Sequence, residues 1–410
     1  MKKINKEKVL KNAGLLKEEE FSLSIDLPKP IHDLYQIFKK HGKKLYLVGG
    51  AVRDALMGHK PKDFDVATDL PSEDVMKLLQ LEKIKAYPKG ASFGVVSAII
   101  DGEEMEIATF RKEDYTGGDG RRPTSITYSD IHSDANRRDL TMNALYYDIG
   151  AQKVIDLVGG LEDIRNKKIR TVGNPHVQFD QDKLRVMRAV RFANKYGTSL
   201  DKETMEAIHH FNQLPGVSDE RIVEEILKGL KAALKPESFM ADLYKFGLLN
   251  RIFAGSEINT KFISGLREFH LVFAQLLVNN PIQTASKTMK NLLGGKDEFM
   301  FNGKDIDAVV FLLVLAQRFK MFDKLVFDPS IDYKWLYDLL KARKLVLESG
   351  RINSKIIMEW AEIAGLNVDL IVHFIQFQPP FRAKDFPGLQ GAELGKKIDI
   401  SNAQAFVEKI

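Results

Sequence analysis

The chain has 410 residues, 44% of them apolar, and its 61 Lys and Arg against 56 Asp and Glu give a net charge of +5. That balance suits a globular protein of two to four structural units, and the small basic excess permits a polyanionic partner without demanding one. There is no cysteine, which excludes disulfides, thiolate zinc sites and cysteine nucleophiles and fits a reducing compartment.

Residues 1–28 read as a solvated extension, and their charged start lacks the apolar segment of a signal peptide. Ile31, Leu34, Ile37 and Phe38 recur at helical spacing and predict a helix over 31–41. From Lys44 to about Tyr147 the pattern changes to short strands, at 45–48, 93–100, 105–110 and 144–149. A helix is expected over 72–81, with Ser72 as its N-cap. Beyond Leu161 the pattern is helical, with segments at 182–196, 202–210, 220–234 and 308–319 punctuated by turns such as Pro215-Gly216. Residues 259–307 show no clear period and are expected to hold an irregular helical insertion. The longest apolar run, 308–316, is far below the roughly 20 residues of a membrane span. It reads as a buried helix, so no membrane association and a cytoplasmic setting are expected. The fold class is therefore α+β: a mixed α/β unit followed by a long helical remainder.

Candidate chemistry begins at Asp63-Phe64-Asp65, ten residues beyond the segment Gly49-Gly50-Ala51-Val52-Arg53-Asp54. In a strand, alternate residues share a face, so Asp63 and Asp65 would point the same way. Two carboxylates on one face repel unless a cation lies between them, and Mg²⁺ suits few carboxylates plus phosphate oxygens. Two such ions serve phosphoryl transfer, and Glu106, between Met105 and Ile107, is the candidate third ligand. Gly49 and Gly50 after a strand can offer backbone N–H groups to phosphates, and Arg53 can add a charged contact. Taken alone, an Asp-x-Asp is equally the pattern of a surface turn. His209-His210 reads as a helix-surface feature.

The combination resembles the class II tRNA nucleotidyltransferase and poly(A) polymerase family. Residues 47–54 and 63–68 look like its first two motifs, and Arg137-Arg138-Asp139-Leu140-Thr141-Met142-Asn143-Ala144 resembles its Arg-Arg-Asp-Phe-Thr-x-Asn-Ala motif. Residues 182–193 resemble its nucleobase-template helix, and Glu220 to Glu225 the motif that braces that helix. These segments occur in the family's order, and Arg121-Arg122-Pro123 matches a loop element. The resemblance implies an N-terminal extension (1–28), a catalytic nucleotidyltransferase head (29–150), a nucleotide-selecting neck (151–240), a body (241–345) and a tRNA-binding tail (346–410).

It also implies roles. Asp182 would accept from an exocyclic amine and Arg185 donate to ring acceptors, a combination that cytosine and adenine both satisfy. Arg188 and Arg191 continue the spacing of three toward sugar or triphosphate, Arg138 would bind nucleotide, and Asp139 and Asn143 would hold the head–neck junction or the ribose. Glu225 would support the template helix. One departure stands out: the family's helix usually begins Glu-Asp, and here it is Gln181-Asp182. The glutamine keeps an acceptor for the template arginine but loses the charge.

Among family activities, residues 90–96 resemble the strand entry of the tRNA enzymes rather than the basic segment of poly(A) polymerases. The loop from Glu106 to Arg138 is full length, unlike that of CC-only enzymes, and Gly117, Gly118 and Gly120 suit a mobile element. The expectation is a template-independent enzyme adding CCA to the tRNA 3′ end from CTP and ATP, with two Mg²⁺ ions. Its partners would be the acceptor stem and T-arm of tRNA and nucleoside triphosphates. Adding A alone, poly(A) tailing and a catalytically inactive RNA-binding protein are the alternatives. No His-Asp phosphohydrolase domain is legible, and the oligomeric state is not readable from the sequence.

Overall fold

The computed structural model describes residues 19–89, 94–115, 123–292, 303–322 and 328–410. The chain divides into two compact units, Met1–Val217 and Ser218–Ile410.

The first unit begins with β1 (Glu19–Ser22), α1 (Lys29–Lys40), β2 (Tyr46–Val48), α2 (Gly50–Leu56), β3 (Val66–Thr68), α3 (Ser72–Leu81) and β4 (Lys85–Pro88). Then come β5 (Val95–Ile100), β6 (Glu103–Thr109), the hairpin β7 (Arg111–Asp114) and β8 (Ser125–Tyr128), α4 (Ile131–Asn136), β9 (Leu145–Asp148) and β10 (Lys153–Asp156). It closes with α5 (Gly160–Arg165), β11 (Lys168–Ile169), α6 (Pro175–Gln181), α7 (Leu184–Tyr196), β12 (Ser199–Leu200) and α8 (Lys202–His210).

Eight strands form one mixed sheet in the order β1-β10-β9-β2-β3-β6-β5-β4. Every neighbouring pair is antiparallel except β3 and β6. The side-chain period of two divides the core. Leu47, Val66, Ile107 and Tyr147 face α1 and α3, where they pack with Ile31, Leu34, Phe38, Val75 and Leu79. Tyr46, Val48, Ala67 and Tyr146 face the opposite side, with Phe110 and Val172. Each fully buried side chain of this size contributes about 1.5–3 kcal/mol, so register is strongly held. Asp65 and Glu106 directly precede Val66 and Ile107, and fall by alternation on the face away from α1 and α3.

Several expectations need correction. The first 28 residues are not all extension: β1 pairs with β10, and Leu23, Ile25 and Leu27 pack into the head core. The alternation Phe21, Leu23, Ile25, Leu27 carried that signal. The sheet does not stop at 150, because the β9–β10 hairpin extends it to Asp156 and buries Val154. The unit boundary falls at Val217, inside the expected 151–240 neck. Ser72 is the first helical residue rather than the cap, and its Oγ lies 2.6 Å from the Tyr128 hydroxyl. The segment from Glu106 to Arg138 is not simply a loop, since β7 and β8 pair from Arg111–Tyr128 to Asp114–Ser125. Gly90 to Phe93, Gly117, Gly118, Gly120, Arg121 and Arg122 lie outside the described residues.

The second unit is helical: α9 (Asp219–Ala232), α10 (Pro236–Lys245), α11 (Phe269–Leu277), α12 (Ile282–Leu292), α13 (Gly303–Lys320), α14 (Pro329–Glu348), α15 (Ser354–Ala364), α16 (Val368–Gln376) and α17 (Gly391–Glu408). The unreadable stretch 259–307 thus holds two regular helices and the start of a third. All nine residues of α11 are buried, so it presents no polar face and no amphipathic period. The apolar run 308–316 lies within α13, largely buried. Among the described residues no helix is long and apolar enough to cross a membrane.

Candidate active site

The acidic pair sits just before β3 rather than within it. Val48 donates its N–H to the Asp65 carbonyl at 3.0 Å, which keeps this segment beside β2. Phe64 packs against the head core between the two carboxylates. Because β3 and β6 are parallel with Val66 opposite Ile107, Asp65 and Glu106 come to adjacent positions. Desolvation raises the pKa of Asp65, and the negative charges of Glu106 and Asp63 raise it further, against the pull of Arg138. The carboxylates of Asp63 and Asp65 make no hydrogen bond or ion pair among the described residues. Glu106 differs, since Lys89 holds it in an ion pair at 2.8 Å. No group of three His, Asp or Glu side chains among the described residues forms a metal cage. Two unpartnered hard oxygen ligands on an open face are nevertheless a donor set that fits Mg²⁺, which completes its shell with water and substrate phosphate.

Gly49 has φ +66° and ψ −119°, outside the left-handed helical region and in a conformation that glycine dominates. A Cβ there would lie 3.4 Å from Arg138 Nη1. Its N–H donates to the Leu145 carbonyl at 3.1 Å, so this amide serves the sheet rather than a phosphate. Arg53, expected at phosphate, is 5% exposed. Its Nε and Nη2 donate to Asp54 Oδ1 at 2.9 and 2.8 Å, and its Nη1 donates to Asn143 Oδ1. The guanidinium also lies 5.2 and 5.0 Å from the Phe192 and Tyr196 ring centroids, a cation–π arrangement.

Arg138 donates from Nε to the Tyr146 hydroxyl at 3.0 Å and from Nη2 to Asp134 Oδ2 at 3.0 Å. Arg137 Nη2 donates to Asp134 Oδ1 at 2.6 Å. Burial pushes the Asp134 carboxyl up, but the two guanidiniums outweigh it and hold the pKa below the usual range. Asp139 accepts from Leu140 N–H at 2.8 Å and Asn143 Nδ2 at 3.1 Å on one oxygen, and from Arg188 Nε at 2.7 Å on the other. Burial again opposes ionisation, yet Arg188 carries the Asp139 pKa down to about 2.

The helix expected over 182–196 begins at Leu184, and a second helix lies just before it. The helix α6 ends at Gln181, and Asp182 is extended, with φ −145° and ψ 104°. Its Oδ1 accepts from Leu184 N–H at 3.0 Å, close to the start of α7. Arg185 is buried: Nη1 donates to Gln178 Oε1 and, at 3.4 Å, to Gln181 Oε1, and Nη2 donates to the Arg137 carbonyl at 2.8 Å.

One cleft of about 450 Å³ gathers most of these groups. Gly49, Gly50, Arg53 and Asp65 line it from the sheet end, Arg138, Asp139 and Asn143 from the strand-leading segment, and Asp182, Arg185 and Arg188 from the helix break. Asp63, Glu106 and Arg191 do not line it; Arg191 is 9% exposed, with its guanidinium 4.5 Å from the Phe192 centroid. Glu225 lies on α9 in the second unit, buried, 3.7 Å from Lys228 Nζ. His209 and His210 are exposed at the end of α8. Glu113, Arg137 and Phe192 line the cleft without having been singled out, and neither had Asp134, Tyr146 or Gln178. Asp134 was within reach of pattern reading, standing three and four residues before Arg137 and Arg138 at helix-neighbour spacing.

Residues 45–170 match the Poly A polymerase head domain family. Residues 197–260 match the family described as the probable RNA and SrmB-binding site of polymerase A. A CCA-adding enzyme of Staphylococcus saprophyticus is 34% identical over 289 residues, which cover 66% of this chain and 70% of that protein. The chain belongs to the RNA nucleotidyltransferase family of CCA-adding enzymes and poly(A) polymerases. Both named activities occur among its relatives. A Bacillus pumilus CCA-adding enzyme is 39% identical over 217 residues, 52% of this chain and 51% of that protein. Poly(A) polymerase I of Escherichia coli O157:H7 is 38% identical over 212 residues, 49% of this chain and 44% of that protein. The chain thus spans about half the length of these last two relatives. The crystal structure of the Bacillus stearothermophilus CCA-adding enzyme in complex with CTP shares the fold, with a TM-score of 0.61 over 93% of this chain and 94% of that one at 23% identity.

Proposed function

We propose that the protein completes the CCA end of tRNA, adding nucleotides from CTP and ATP without a nucleic-acid template. The observation that carries this reading is one cleft that Asp65 lines together with Asp182 and Arg185. It would take a triphosphate at the carboxylate and a base at Asp182 and Arg185. The 3′ hydroxyl oxygen of the RNA attacks the α-phosphorus, the bond from that phosphorus to the bridging oxygen breaks, and pyrophosphate leaves. Asp63 and Asp65, with Glu106 beside them, would hold two Mg²⁺ ions, which supply charge neutralisation and a lowered pKa for the attacking hydroxyl.

The rest of the chemistry belongs to the protein. Arg138 and Arg188 are preset by Asp134 and Asp139, so they meet phosphate or ribose without reorganising. Asp182 accepts from the exocyclic amine of cytosine or adenine. Arg185 Nη2 donates to the Arg137 carbonyl and Nε makes no hydrogen bond among the described residues, so this edge of the fork can donate to the base. Uracil and guanine reverse that pattern and would leave buried polar groups unpaired. The helical remainder is proposed to grip the acceptor stem and T-arm by phosphate contacts, and the setting is proposed to be cytoplasmic.

The test is extension of tRNA lacking its terminal CCA with Mg²⁺, each nucleotide alone and then both. Three added residues are expected from CTP with ATP, and none from Asp63→Ala, which should still bind tRNA. Stopping after C-C, or starting only on tRNA that ends in C-C, overturns complete addition. Long A tails on any RNA favour the poly(A) reading that the matched poly(A) polymerases keep open.

A further inference from the structure

Gln178 lies on α6, one turn before the break at Asp182, and only 6% of it is exposed. Its side chain spans two elements. Nε2 donates to the Asn136 carbonyl at the end of α4, at 3.1 Å, and Oε1 accepts from Arg185 Nη1 on α7. A carbonyl can only accept, so the bond to Asn136 fixes which end of the amide is nitrogen. The oxygen must then face Arg185. The next residue, Arg137, receives Arg185 Nη2 through its own carbonyl at 2.8 Å. The guanidinium is therefore clamped from two directions onto the same chain turn. Its other acceptors are the Gln178 carbonyl and Gln181 Oε1, both at 3.4 Å.

All these acceptors are neutral. A carboxylate would also fix the guanidinium, but would partly satisfy its charge. Neutral amides set its plane and leave the charge for a ligand. Gln181, which replaces the family glutamate, holds Arg185 at the longer distance, so the orienting work falls mainly on Gln178.

We propose that Gln178 is a positioning residue for base selection, holding Arg185 at the angle that presents its Nε edge to the nucleobase. This rests on the reading that Arg185 donates to the base. Gln178 touches no substrate and acts through Arg185, so its loss should change which nucleotide is chosen and not merely how stable the protein is.

The experiment measures kcat/KM for CTP against UTP and for ATP against GTP, on the full chain with Mg²⁺ and tRNA, with melting temperature recorded alongside. Gln178→Met keeps the length and removes both polar ends. It should narrow each ratio by about tenfold or more. Gln178→Asn is too short to span both partners and should do the same, which covers the case of a Met variant that does not fold. Gln178→Glu keeps an oxygen toward Arg185 but adds a buried charge that partly satisfies the guanidinium and sets a second acceptor against the Asn136 carbonyl. It should therefore also narrow the ratios, by about threefold or more, even where its melting temperature is unchanged. In an Arg185→Ala background, Gln178→Met should change the ratios no further. If Arg185→Ala alone leaves the ratios intact, the base-reading role of Arg185 fails. If Arg185→Ala collapses them while folded Gln178 variants keep them, the positioning role fails and base reading stands.

Discussion

Asp139 shows how a single charge holds the cleft together. Its carboxylate bonds Arg188 on α7 and Asn143 beside β9, and Asn143 in turn receives Arg53. Burial would raise its pKa, and the Arg188 guanidinium brings it to about 2 instead. A folded-state pKa below the unfolded value of about 3.9 adds stability that is present above that value. This stability is lost as pH falls through the window down to about 2. Asp139→Asn should therefore cost roughly 2 kcal/mol in urea unfolding at pH 7, and the gap to the unaltered protein should close toward pH 2. A gap that stays constant across that range would show that the charge is not what matters. At this scale the motifs named Asp65, Arg138, Asp182 and Arg185, which line one cleft. The sequence was silent at Glu113 and Gln178, whose partners Arg137 and Arg185 lie 24 and 7 positions away. Nothing local distinguishes such residues from any surface Glu or Gln. Arg53 lines the cleft, and its buried guanidinium is bonded to Asp54 and Asn143.

Helices with one apolar face were legible, and α1, α3, α8 and α9 begin and end within two residues of the positions their spacing predicts. The short strands were harder. β7 reads Arg-Lys-Glu-Asp and has no apolar alternation, so only its main-chain pairing with β8 makes it a strand. The helix α11 failed for lack of contrast, being buried on every side. The helix α7 begins at Leu184, two residues after its expected start, so Asp182 and Arg185 keep helical spacing without sharing a helix. Packing between elements adds requirements that periodicity does not carry, and Gly229 is the sharpest case. A Cβ built on it would come within 2.1 Å of the Phe239 ring, so α9 and α10 approach as closely as they do only because that position has no side chain. Phe239 is fully buried and has nowhere to retreat. Gly229→Ala gains helix propensity of about 1 kcal/mol, yet overpacking should cost about 3 kcal/mol at a contact this close, for a net loss of roughly 2 kcal/mol. The check is a lowered urea midpoint for Gly229→Ala, recovered by combining it with Phe239→Leu. If Gly229→Ala is as stable as the original, the close approach is not a constraint.

On the scale of the whole molecule, every group lining the cleft lies between Gly49 and Phe192, within the first compact unit. If the helical unit serves the RNA, substitutions there should separate the two substrates kinetically. Its surface offers a place to look. A groove of about 680 Å³ is lined by Lys341 and Lys344 of α14 and by Arg382, with Phe381 and Tyr337 beside them. All three cations are exposed, and the ion pair of Lys344 with Glu348, at 3.8 Å along the helix, is worth only a few tenths of a kcal/mol. Cations of this kind bind polyanions by releasing counterions, and each phosphate contact adds about 0.7–0.9 to the slope of log affinity against log salt. Replacing Lys341, Lys344 and Arg382 together by Glu should raise the KM for tRNA by about tenfold or more and flatten its salt dependence by roughly 2 to 3 in slope. The KM for CTP, measured at saturating tRNA, should stay within about twofold, because no cleft contact is altered. Equal effects on both constants would mean that the substitutions act through folding, and no effect on tRNA would move the RNA grip to another face of the helical unit.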